Sequence, residues 1–148
     1  MGSLADELNN IAWAEYRTAY GPAHDVPIQI QALYSNDCEA RLDAAHELWC
    51  ALCHQRTYIT DAALPALPFL LDALDQAPDH VLQIELLEIL LGFARCTTRT
   101  YQLDQPLWAQ RLRQSLLTYG AKLKQLRANP HPEVSDLADA TFNALGQP

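Results

Sequence analysis

The sequence predicts an all-α protein. Apolar residues recur at steps of three and four along most of the chain. No segment sustains period-two alternation with strand-like composition, and Asp, Asn, Gly and Pro interrupt the apolar segments at intervals of a helix length. The chain has 148 residues, near the usual size of one domain, and a domain of that length buries about 70% of the surface its unfolded form exposes. A single domain over 1–148 therefore needs no covalent staples. Hydrophobic residues make up 49% and charged residues 19%, without a like-charge run or a Ser/Gly tract, which is the composition of a globular chain.

Ser3 is placed to cap a short helix within 3–17, with Asp6 and Glu7 in the first turn near the positive end of the helix dipole. Gly21-Pro22 ends that segment. Asp25 is placed to cap a second helix, running to about Tyr34, which tolerates Pro27 in its first turn because the missing N–H had no intrahelical partner there. After Ser35-Asn36-Asp37 a long helix carries Cys38, Leu42, Ala45, Trp49 and Leu52 at steps of 4, 3, 4 and 3, which predicts an inward stripe. Glu39, Asp43 and Glu47 follow a separate line and predict a solvated acidic side.

Thr60 is placed to cap a helix bearing Leu64, Leu67, Leu71 and Leu74, with Pro65 near its first turn and Pro68 deep enough to remove a backbone bond. A helix over about Asp79 to Arg95 is apolar on two stripes, Leu82/Leu86/Ile89/Phe93 and Ile84/Leu87/Leu91/Ala94, and so predicts an element sandwiched between neighbours. From Pro106 a helix of some six turns carries Trp108, Leu112, Leu116, Tyr119, Leu123 and Leu126, with Gly120 marking a bend or a close helix contact. Asn129-Pro130-His131-Pro132 breaks the chain before a closing helix, Glu133 to Leu145, with Val134, Leu137, Thr141 and Leu145 inward and Gly146 as its stop.

Three stretches share one logic, a turn with Asp, Asn or Pro followed by a helix rich in Ala and Leu. They are Asn36 to Ala45, Ala77 to Leu82 and Pro130 to Ala138, with starts about 40 to 50 residues apart, inside the period of HEAT or armadillo units. The first stretch, with Leu64-Pro65-Ala66-Leu67-Pro68-Phe69-Leu70-Leu71, resembles the two helices of a HEAT repeat. The wider run of Tyr20-Gly21-Pro22-Ala23, Leu48-Trp49, His54-Gln55 and Leu64 to Leu71 is similar to a group of bacterial HEAT-like proteins; the resemblance covers roughly 10–95. It implies a short right-handed α-solenoid of about three helix pairs, each unable to bury its apolar face alone, and it implies partner binding without a transferable active site.

Net charge is −8, which opposes nonspecific attraction to nucleic-acid phosphate and to anionic lipid. Residues 95–128 nevertheless hold Arg95, Arg99, Arg111, Arg113, Lys122, Lys124 and Arg127 against Asp104 alone, while 61–94 contain six carboxylates and no lysine or arginine. The basic helix could touch phosphates, at a cost set by the acidic remainder. Cys38, Cys50, Cys53 and Cys96 lack a preceding basic, apolar and small-residue leader, which predicts reduced thiols in a cytoplasmic protein. The densest apolar stretch, Val81 to Ala94, is interrupted by Gln83, Glu85 and Glu88, short of the roughly 20 apolar residues of a membrane span.

Cys50-Ala51-Leu52-Cys53-His54 matches the haem attachment string, and His46 joins it as a potential zinc ligand. Four ligands on one continuous helix suit a tetrahedral ion poorly, since His46 and Cys53 face nearly together while His54 turns away. Packed thiols and a helix-end histidine are the simpler reading, so neither cofactor nor metal is expected. Asp72, Asp75, Asp79, Glu85 and Glu88 have the residue type for general acid–base work, but their spacing is also that of solvated helix faces. No phosphate loop, nucleophile elbow or His-Glu-x-x-His string accompanies them.

The sequence therefore points to a non-catalytic protein-interaction module, in its most concrete form an immunity protein that neutralises a cognate bacterial toxin. The expected partner is another, basic protein, with no membrane and no nucleic acid, and self-association stays open. Asp72, Asp75, Asp79, Glu85 and Glu88, with Tyr58 and Phe69, are the candidate partner-binding residues. The alternatives are a scaffold or self-associating adaptor, a small enzyme, or an RNA-binding helical repeat.

Overall fold

The computed structural model describes residues 3–54, 58–98 and 106–146. Gln55 of the family-like string, and Arg99 and Asp104 of the basic region, lie outside the described residues. The described chain is mainly helical, as the three-and-four periodicity predicts: α1 (Leu4–Asn9), α2 (Val26–Ala32), α3 (Cys38–Cys53), α4 (Ala63–Gln76), α5 (His80–Cys96), α6 (Leu107–Leu117), α7 (Gly120–Arg127) and α8 (Pro132–Leu145). Ser3 caps α1 in a reciprocal box, its hydroxyl accepting from the Asp6 N–H and the Asp6 carboxylate accepting from the Ser3 N–H. Asp37 and Asp79 cap α3 and α5 by accepting from the Glu39 and Leu82 amides.

One small ribbon departs from the expected absence of sheet. β1 (Arg17–Thr18) pairs antiparallel with β2 (Gly21–Pro22) across a two-residue turn, too short for strand periodicity to show in sequence. Gly21 adopts φ +118°, which side-chain-bearing residues rarely adopt. The ribbon is stitched to its surroundings: the Ala19 N–H donates to the Ala51 carbonyl at 2.8 Å, and the Arg17 N–H donates to Asp61 at 2.6 Å.

α5 is the central helix. It packs against α3, α4, α6 and α8, while α2 covers α3 and α7 covers α8; α2, α4 and α6 are neighbours in that order. Both apolar stripes of α5 are buried as expected, except for half-exposed Ile84. Phe93, Leu86, Leu87, Ile89 and Leu90 are among the largest fully buried side chains.

Four local expectations change. In α3 the buried face centres on Ala44, Ala45, Leu48 and Leu52, whereas Cys38 is exposed and Leu42 and Trp49 are half-buried. The alanines let α3 pack closely, so its small-residue side turns inward and the larger Trp49 is displaced to the edge of the core. Thr60 is not the α4 cap: the helix starts after Ala62, and the Thr60 hydroxyl donates to Ala51 instead. Asp25 occupies the capping position of α2 without capping it through its side chain. The six-turn helix is divided at Thr118–Tyr119 into α6 and α7; a Cβ on Gly120 would meet nothing within 4 Å, so this glycine marks a bend rather than a close contact. All four cysteines are thiols, with Cys38 exposed and the others buried.

Candidate functional site

Asp61, Asp72, Asp75 and Asp79 look unneutralised in sequence but are met by partners from distant elements. On the outer side of α4, Asp72 accepts from the Tyr34 hydroxyl at 2.6 Å and from the Gln76 amide at 3.0 Å. One turn on, Asp75 accepts from the Tyr119 hydroxyl at 2.8 Å and lies 3.6 Å from Lys122 Nζ. Burial first, then the aspartate partner, holds the phenols of Tyr34 and Tyr119 well above the ordinary tyrosine range. Asp79 caps α5 and stands 4.0 Å from Arg41, whose own guanidinium donates to the Ser35 carbonyl at 2.8 Å.

The other candidates lie elsewhere. Glu85 is half-buried on α5; desolvation and then Glu88 push its carboxyl up, opposed by His46 of α3. Phe69 is half-buried against the core and its carbonyl accepts from Tyr34 at 3.3 Å. Tyr58 is exposed and stacks on His54 with ring centroids 4.9 Å apart. The structure thus brings Asp72, Asp75 and, through Tyr34, Phe69 together on α4 and Glu85 with Glu88 on α5, while Asp79 and Tyr58 stand apart.

The Cys/His string does not converge on one point. Cys50 Sγ lies 3.7 Å from His46 Nε2, whereas the Cys53 thiol is fully buried and donates to the Trp49 carbonyl at 3.3 Å. His54 ends α3 in the left-handed region, φ 39°, and its ring turns towards Tyr20 and Tyr58. Among the described residues there is no group of three or more His, Cys, Asp or Glu that could hold a metal ion, and no helix is long and apolar enough to cross a membrane.

A corner that sequence reasoning did not single out forms around the ribbon. Tyr20, at the ribbon turn, is 67% exposed, and its ring meets His54 edge-on at 6.4 Å. Loss of local solvation, then Cys50, Glu47 and Tyr58, keep its phenol protonated above the ordinary range. Beside it a cleft of about 130 Å³ opens between the ribbon, α2 and α3, lined by Tyr20, Asp25, Gln29 and Glu47 among others. The available signals were the Tyr20-Gly21-Pro22 turn and the i, i+4 spacing of His46 and Cys50; the long-range approach of 20 to 47 and 54 has no local signature.

No protein-family model, no curated protein and no solved structure matches the chain.

Proposed function

We propose that this chain is a short HEAT-like α-solenoid that binds another protein and performs no chemistry of its own, in its most concrete form an immunity protein that neutralises a cognate toxin. The order of helix contacts supports the repeat reading. Helices α2, α4 and α6 adjoin in one series and α3, α5 and α8 in another, with α2 against α3, α4 against α5 and α7 against α8, which is how stacked helix pairs meet.

The observation that carries the binding reading is the state of the α4 carboxylates. Asp72 and Asp75 are exposed yet held by tyrosine hydroxyls, from Tyr34 just past the end of α2 and from Tyr119 at the α6–α7 bend. Charges fixed before encounter lose less side-chain freedom on binding, and a net charge of −8 steers a basic partner toward them. The test is co-expression with the protein encoded immediately upstream of this chain. Restored growth of a host poisoned by that protein, together with co-elution of the two on gel filtration, is the expected result; absence of both overturns the immunity reading.

A further inference from the structure

We infer that the cleft between the β1–β2 ribbon, α2 and α3 receives one arginine side chain of a protein partner, with Glu47 and Asp25 as its counter-charges and the Tyr20 ring as its wall. The inference rests on the protein-binding reading above and names the recognition chemistry at a different place from the α4 carboxylates. Size is the first argument. An apolar cavity of about 150 Å³ accommodates one benzene, and drug-sized ligands occupy about 300 Å³ or more. A cleft of about 130 Å³ matches a single side-chain head rather than a cofactor.

Charge and hydrogen bonding supply the second argument. Among the described residues the cleft is lined by two carboxylates and by no lysine or arginine. Among the described residues, neither the Asp25 nor the Glu47 carboxylate takes part in a hydrogen bond or ion pair, although Asp25 stands where it could cap α2. Asp61, Asp72, Asp75 and Asp79, by contrast, are all engaged inside the fold. Unengaged carboxylates offer an incoming cation all of their lone pairs, whereas engaged ones share theirs with a donor already in place.

The wall selects among cations. Tyr20 lines the cleft and its ring meets His54 edge-on, and a planar guanidinium both stacks on an aromatic face and forks onto a carboxylate. Gln29 adds an amide carbonyl able to accept a further guanidinium N–H.

The experiment uses the full chain and N-acetyl-arginine methylamide as probe, with the citrulline equivalent as a neutral control of nearly the same shape. In amide NMR titrations the arginine probe is expected to shift resonances of Tyr20, Gln29, Glu47 and Ala51 with a dissociation constant of roughly 1 mM, while citrulline leaves them in place. Glu47→Gln is expected to weaken binding about fivefold and Glu47→Gln/Asp25→Asn to abolish it, with Asp72→Asn/Asp75→Asn neutral. Equal shifts from citrulline, parent-like binding by the cleft double variant, or shifts centred on α4 would overturn the assignment. A complex with the upstream-encoded protein that the cleft double variant leaves unweakened overturns it too, without touching the immunity reading. Probe binding in the cleft when that complex does not form supports the cleft and removes the immunity reading instead.

Discussion

The Tyr119 hydroxyl donates to Asp75 at 2.8 Å, joining α4 to the α6–α7 bend across 44 residues of sequence. The same device operates on the other side of α4, where Tyr34 donates to Asp72 at 2.6 Å. Each bond joins a phenol to a carboxylate, so removing either hydroxyl is expected to cost about 1 to 2 kcal/mol. Urea melts of Tyr119→Phe and Tyr34→Phe check this, and losses near zero would mean that water replaces the bonds without penalty.

Alkaline pH tests the same pairs. Burial and then the aspartates raise both folded phenols above the value of about 10 that they have when unfolded. The unfolded chain therefore releases these protons first. The stabilisation is fully present below pH about 10 and is lost progressively as pH climbs towards the folded values. The parent protein is expected to lose stability above pH 10 more steeply than Tyr34→Phe/Tyr119→Phe; parallel pH profiles would sink the argument.

These contacts show why part of the molecule was legible in sequence and part was not. The two apolar stripes of α5, Ile84 apart, the Ser3 cap and the bend near Gly120 are local patterns, and each appears where the residues place it. The acidic reading of 61–94 counted charges along the chain, but Lys122, Arg41, Tyr34 and Tyr119 reach those carboxylates from other helices. Of the α3 stripe only Ala45 and Leu52 are fully buried, because spacing identifies a helix better than it identifies which of two adjacent apolar faces is buried. The choice depends on how closely Ala44 and Ala45 let the neighbouring helices approach.

That correction has a measurable consequence. Leu48 is fully buried, while Trp49 is half-buried at the core edge with its indole N–H lacking a hydrogen-bond partner. Leu48→Ala is expected to destabilise by about 3 to 5 kcal/mol, and Trp49→Ala by about 1 to 2 kcal/mol because part of its surface is already in contact with water. Denaturant melts in the reverse order would restore the stripe read from spacing alone.

Arg113 links the C-terminal ends of α5 and α8. Its guanidinium donates to the Ala94 carbonyl at 2.9 Å and the Thr97 hydroxyl at 3.1 Å, and also to the carbonyls of Ala144 at 2.8 Å and Leu145 at 3.2 Å. One cation thereby satisfies the negative ends of α5 and α8 together. Arg113→Ala is expected to cost about 2 to 4 kcal/mol, and Arg113→Lys to recover less than half of it, since an ammonium cannot fork onto both helices. Full recovery by lysine in the same melts would reduce the role to charge alone.

Two of the −8 net charges can be removed without removing the acceptors that hold the fold together. Asp72→Asn/Asp75→Asn leaves a side-chain oxygen for each tyrosine hydroxyl, unlike reversal to lysine, which would break both bonds and confuse stability with binding. Melts of the double variant report what the fold loses, and association with the captured partner is then measured at two ionic strengths. The control is Glu39→Gln/Asp43→Asn on α3, which removes the same charge from exposed positions. Exposed charges are screened over about 8 Å at physiological salt, so a localised interface responds far more to nearby groups than to net charge. If the α4 ridge faces the partner, its variant associates several-fold more slowly than the control and depends less on salt. Equal slowing by both pairs would trace the effect to net charge, and parent-like rates for both would remove the ridge from the interface.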